Sequence, residues 1–132
     1  MRILLDTQCW LWMHAHPERF NPEALAAVQG ERNQLFLSAA SAWEIAVKYT
    51  LGKLPLPVPP QEYVPSRLQR ADTQALPVTH DHALRVATLP FHHRDPFDRL
   101  LIAQCQIERL ALLTADRQFE PYDLETVWAR TG

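Results

Sequence analysis

Four short apolar runs, each closing on a polar residue, constrain this chain more than any other feature: Arg2-Ile3-Leu4-Leu5-Asp6, Leu35-Phe36-Leu37-Ser38, Ala75-Leu76-Pro77-Val78-Thr79 and Leu110-Ala111-Leu112-Leu113-Thr114. Runs this short and this continuously apolar read as strands buried on both faces of a parallel sheet. Glu125-Thr126-Val127-Trp128 adds a weaker edge strand.

Helical patterns lie between the runs. Ala39–Thr50 carries Ala42, Ile45, Ala46 and Tyr49 on one face and Ser41, Glu44 and Lys48 on the other, with Gly52 beyond it as a stop signal. Pro96–Arg109 carries Leu100, Leu101, Ile102, Cys105 and Ile107, behind Asp95 as N-cap and Pro96 at the first helical position. Pro22–Gly30, Pro60–Ala71 and His80–Thr88 read as further helices, and the proline-rich Leu54–Pro60 as an extended loop. The expected fold class is therefore α/β: a central, mostly parallel sheet of four to five strands flanked by helices.

With 132 residues and 47% apolar content, one compact domain over residues 1–132 is expected. A net charge of −2 excludes a broadly polycationic binder. Cys9 and Cys105 are too few for a disulfide framework; they read as small buried hydrophobes in a reducing, cytoplasmic protein. No apolar run approaches the roughly 20 residues of a membrane span. The first acid, Asp6, comes too early for a signal-peptide core.

The acids carry the functional argument. In an open parallel sheet the ligand crevice lies at the carboxyl ends of the strands, the edge to which the crossover helices also return their N-termini. Asp6 ends the first run, Glu44 lies early in the helix after the second, Asp95 and Asp98 open the helix before the fourth, and Asp116 follows the fourth by two residues. All five fall on one edge. Crowded carboxylates repel unless a cation neutralises them, and an oxygen-only set suits Mg²⁺ or Mn²⁺ acting on a phosphate. Without those five acids the −2 net charge becomes +3, and Arg2, Lys48, Arg94, Arg99 and Arg117 are the cations nearest them in sequence. A polyanion is the fitting substrate.

Each acid also has a purely structural reading. Glu44 fits a capping box with Ser41 and an i,i+4 pair with Lys48; Asp95 fits a simple N-cap. Asp98 complements the helix dipole, and Asp116 caps the short Arg117–Glu120 turn. It is their convergence that favours a site.

Leu4-Leu5-Asp6-Thr7, Ser38-Ala39-Ala40-Ser41-Ala42-Trp43-Glu44-Ile45, Asp95-Pro96-Phe97-Asp98-Arg99-Leu100-Leu101-Ile102-Ala103-Gln104 and Leu113-Thr114-Ala115-Asp116 occur in the order seen in PIN-domain proteins. The chain resembles most of all the VapC-type toxins of bacterial type II toxin–antitoxin systems. The resemblance covers essentially the whole chain, and its Asp-Pro-Phe-Asp-Arg segment is specific. It implies a Mg²⁺- or Mn²⁺-dependent endoribonuclease, usually a homodimer, held inactive by a cognate small antitoxin. Carried over residue by residue, it implies that Asp6, Glu44, Asp98 and Asp116 hold the metal and that Thr114 supports the site. Asp95 is a secondary candidate, as is Arg99 beside Asp98.

Weaker signals have plainer readings. The histidine pairs His14/His16, His80/His82 and His92/His93 lack the i,i+4 spacing of a zinc helix and read as incidental, His80-Asp81-His82 opening a surface helix. His92 and His93 stand close enough to Asp95 for RNA contact. Trp10, Trp12 and Trp43 read as core or interface packing rather than base-stacking surfaces. Three scattered glycines exclude a glycine-rich nucleotide loop. A phosphoacceptor receiver domain wants paired acids after the first strand, and only Asp6 is there. The alternative is a non-catalytic RNA- or protein-binding module of the same fold.

Overall fold

The computed structural model describes residues 1–130, so the last two positions of the expected 1–132 domain lie outside the described residues. The strands are β1 (Arg2–Leu5), β2 (Gln34–Ser38), β3 (Thr73–Leu76), β4 (Ala111–Thr114) and β5 (Thr126–Trp128). The helices are α1 (Thr7–Ala15), α2 (Pro22–Gln29), α3 (Ala39–Thr50), α4 (Pro60–Arg70), α5 (His80–Arg85) and α6 (Pro96–Glu108), with single 3-10 turns at Pro17–Arg19, Val86–Thr88 and Arg117–Phe119. One sheet of order β3-β2-β1-β4-β5 is parallel throughout.

Burial explains the runs. Ile3, Leu4, Leu5, Leu112 and Leu113 are fully buried, with Ile3 paired to Leu35 on one side and Ala111 on the other. Side chains of successive strand residues alternate between faces. Ile3, Leu5, Leu35, Leu37 and Leu113 pack with α1, α2 and α4; Leu4, Phe36 and Leu112 pack with α6. Trp10, Trp12, Cys9 and Cys105 are buried in these two layers, as read from the sequence, whereas Trp43 is 64% exposed and rests edge-on against Phe97.

Three expectations need correction. β3 begins at Thr73 and ends at Leu76, not Ala75–Thr79, because Pro77 has no N–H to extend the ladder and Thr79 caps α5. α1 had no counterpart in the sequence reading: Thr7–Ala15 is apolar nearly all round, so no helical stripe stands out. α3 is capped by Ser38 rather than by a Ser41–Glu44 box; the Ser41 hydroxyl instead accepts the Thr7 hydroxyl at 2.8 Å, tying α3 to α1.

The order of the strands positions the site. From β1 the chain moves outward to β2 and β3, then crosses back to β4 and on to β5. Neighbouring strands β1 and β4 therefore send their connections in opposite directions, which opens a crevice between their carboxyl ends. Among the described residues no helix is long and apolar enough to cross a membrane.

Candidate metal centre

Asp6 stands at that crevice. Its N–H continues the ladder to the Leu113 carbonyl at 3.0 Å, fixing the backbone as the chain leaves β1. Its side chain then caps α1: Oδ1 accepts the Cys9 N–H at 2.7 Å, and Oδ2 accepts the Thr114 hydroxyl. Thr114, the last residue of β4, accepts the Asp116 N–H on that same hydroxyl at 3.0 Å. One buried hydroxyl thus links the exits of both central strands.

Glu44 enters from α3. It is buried; Oε2 accepts Lys48 Nζ at 2.7 Å, while Oε1 is buried without a hydrogen-bond partner. The i,i+4 pair with Lys48 is the one expected from the sequence. Asp95 is the N-cap of α6, its Oδ1 accepting the N–H groups of Phe97 at 2.8 Å and Asp98 at 3.4 Å. That cap orients the first turn, from which Asp98 reaches the same crevice. Asp116 caps the turn Arg117–Phe119 by accepting the Gln118 N–H at 2.9 Å.

Asp6, Glu44, Asp95, Asp98 and Asp116 line a single cleft of about 480 Å³, together with Lys48 and Lys53. Burial, reinforced by Asp95, Asp6, Glu44 and Asp116, pushes the Asp98 carboxyl up to about 8. Asp6 is also raised, by burial first, although the Thr114 hydroxyl and the Cys9 N–H pull the other way. Carboxylates raised by burial and by one another are a site short of positive charge. Hard oxygen donors and an unpartnered, buried Glu44 Oε1 fit a divalent cation of the Mg²⁺ or Mn²⁺ kind.

The cleft brings all four main candidates and Asp95 together, with Thr114 directly behind Asp6. It does not bring in Arg99. That guanidinium is buried and does not line the cleft, donating instead to the carbonyls of Pro90 at 3.0 Å and Val86 at 3.1 Å. Nor do the cations nearest the acids in sequence gather around the cleft. Arg2 sits at the opposite end of β1 on the Glu108 carbonyl, and Arg117 stacks over Trp128; of the five, Lys48 alone lines the cleft.

Two histidines also depart from the sequence reading. His82 is 1% exposed and buried in the capping box of α5, so it is not a surface residue. His93 is 5% exposed and faces the acids, with Nε2 at 3.0 Å from Asp98 Oδ2 and 3.3 Å from Asp116 Oδ2. The Nε2 atom and the two carboxylates lie within 4.8 Å of one another. Proximity to Asp95 was the one sequence signal for it. His92 turns instead toward Tyr122, its ring centroid 5.2 Å away.

The chain is similar to known proteins in sequence and in fold. Over 73 residues the chain is 52% identical to Ribonuclease VapC16 of Mycobacterium tuberculosis, a match covering 52% of this chain and spanning about half, 51%, of that relative's length. VapBC2 from Rickettsia felis, solved bound to a promoter DNA fragment, superposes with a TM-score of 0.72 at 17% identity, covering 98% of this chain and 100% of that one. A toxin–antitoxin complex from Klebsiella pneumoniae gives 0.67 at 18% identity over 97% of this chain and 98% of that one. Residues 3–124 match the family described as the PIN domain, and the chain belongs to that family.

Proposed function

We propose that this protein is a metal-dependent endoribonuclease that hydrolyses RNA phosphodiesters as the toxin of a toxin–antitoxin pair. The observation that carries the reading is the convergence of Asp6, Glu44, Asp98 and Asp116 in one cleft, with Glu44 Oε1 buried and unpartnered. The likeness to Ribonuclease VapC16 supports RNA as the substrate, and the VapBC2 and Klebsiella pneumoniae likenesses support a small antitoxin as partner. The protein acts in the cytoplasm, as a homodimer or in a heterocomplex with that antitoxin.

Asp6, Asp98, Asp116 and Glu44 would hold Mg²⁺ or Mn²⁺. A bound divalent cation supplies positive charge to the scissile phosphate and eases deprotonation of an attacking water. The protein's own part is placement. Thr114 fixes the rotation of Asp6, Lys48 holds Glu44, and Asp95 orients the turn that presents Asp98. No side-chain nucleophile is needed, in keeping with the absence of a Ser-His-Asp or Cys-His set in the cleft lining.

The test compares wild type with Asp98→Asn, in growth after induction and in cleavage of total RNA by the purified proteins with and without Mn²⁺. Discrete, Mn²⁺-dependent cleavage and growth arrest by wild type, both lost in Asp98→Asn, is the expected result. Intact RNA and normal growth with folded wild type would turn the reading toward a non-catalytic binding module.

A further inference from the structure

We propose that His93 is a positioning residue that sets the rotation of Asp116 and its spacing from Asp98 through its ring N–H; the proposal rests on the metal-dependent reading above. His93 lies in the loop before α6. Its Nδ1 accepts the Asp95 N–H at 3.2 Å, so that nitrogen carries no proton and Nε2 carries it. The Nε2–H then donates to Asp116 Oδ2 at 3.3 Å, while Asp98 Oδ2 lies 3.0 Å from the same nitrogen, beside the N–H direction. Asp98 belongs to the first turn of α6 and Asp116 to the exit of β4, so one ring nitrogen brings together acids from two separate elements.

His93 is itself held through both its backbone and its ring. Tyr122 Oη accepts the His93 N–H at 2.8 Å, the Arg99 guanidinium donates to the His93 carbonyl at 3.4 Å, and the ring packs against Phe119 with centroids 5.4 Å apart. This is how second-layer groups orient carboxylate ligands in metal centres: they are buried, held from behind, and hydrogen-bonded to a ligand oxygen. A protonated Nε2 has no lone pair to offer, so His93 acts on the acids and not as a ligand beside them. Arg99 acquires its place here too, holding the loop that carries His93 rather than facing the cleft.

Two substitutions separate this role from mere packing. His93→Gln carries an N–H to the place of Nε2 but loses the Nδ1 acceptor. His93→Asn keeps an acceptor near the place of Nδ1 but falls short of the acids. The metal-free full-length variants and wild type are titrated with Mn²⁺, free ion being read by electron paramagnetic resonance, and their folding is checked by thermal unfolding. Positioning predicts that His93→Asn weakens Mn²⁺ binding about 10–100-fold while His93→Gln recovers most of it. Wild-type affinity in both variants, equal losses in both, or a directly coordinated nitrogen in the echo-modulation spectrum of the wild-type Mn²⁺ complex would overturn the proposal while leaving the parent reading intact. Folded wild type that binds no Mn²⁺ removes the parent reading and this one with it.

Discussion

The Thr114 hydroxyl donates to Asp6 Oδ2 across a sequence separation of 108 residues, and the same oxygen accepts the Asp116 N–H. Thr114→Val keeps the branched shape but leaves that N–H unpaired and strips Asp6 of a donor that favours its charged form. A loss of about 1–3 kcal/mol in chemical denaturation follows from an unmet buried partner. RNA cleavage should fall with it, since Asp6 is then held by the Cys9 N–H alone. Thr114→Ser, which restores the hydroxyl, should recover most of both.

Asp98 makes the metal-free fold sensitive to base. Its folded carboxyl is raised from 3.8 to about 8, mainly by burial. The folded state therefore keeps a proton that the unfolded chain has shed, so this contribution is fully present below the unfolded value and is lost as pH rises through the folded one. Asp98→Asn cannot lose that proton. Without metal, the variant and wild type should melt together near pH 4 and diverge in the variant's favour up to about pH 8, by several degrees, since about 1 kcal/mol moves such a domain by roughly 4 °C. Excess Mn²⁺ should reverse the order at alkaline pH by stabilising wild type alone. Melting curves across that range with and without Mn²⁺ measure both effects.

The sheet was legible because buried parallel strands are written as continuous apolar runs, and the acids were legible because each falls at a strand exit or helix entry, positions that topology gathers. What local pattern could not reveal was tertiary. α1 shows no stripe because its buried residues, Thr7, Cys9, Trp10 and Trp12, are spread round the helix, in one cluster with the sheet, Tyr63 of α4, Leu54, Leu56 and Val58. Thr73 and Gln74 look polar for a strand, yet pair in register with Leu35 and Phe36. His93 reads as a loop residue until Tyr122 and Asp116, far along the chain, are brought against it. Arg99 looks like a site cation by adjacency to Asp98, but one helical step turns successive side chains about 100° apart.

Arg99 should behave as a structural residue. Its guanidinium meets four carbonyls, those of Pro90, His93, Val86 and Leu89, as well as the Tyr122 hydroxyl, and its Cζ lies 4.6 Å from the Phe91 ring centroid. A lysine has no planar fork to serve so many acceptors. Arg99→Lys should lower the melting temperature by several degrees, each lost charged hydrogen bond being worth about 1.5–3 kcal/mol. Had Arg99 gripped RNA directly, the variant would melt like wild type and show only a raised KM; that result would contradict the placement described here.

His14 provides the opposite pH sensitivity from another part of the fold. Burial, aided by Arg67 and Arg70, lowers its ring to about 4 from 6.5, its Nε2 is buried without a partner, and it packs edge-on to Trp10 at 4.9 Å. A base whose folded value is depressed contributes stability that is present above the unfolded value and lost as pH falls through the folded one. Wild type therefore weakens between about pH 6.5 and pH 4, where the unfolded chain takes up a proton the folded chain refuses. His14→Leu removes that proton and also the unpaired buried nitrogen. Its melting temperature should gain on wild type steadily as pH drops through this window, with a smaller, constant difference at pH 8. A gap that stays flat from pH 8 to pH 4 would mean that His14 is as free to charge in the fold as in the open chain.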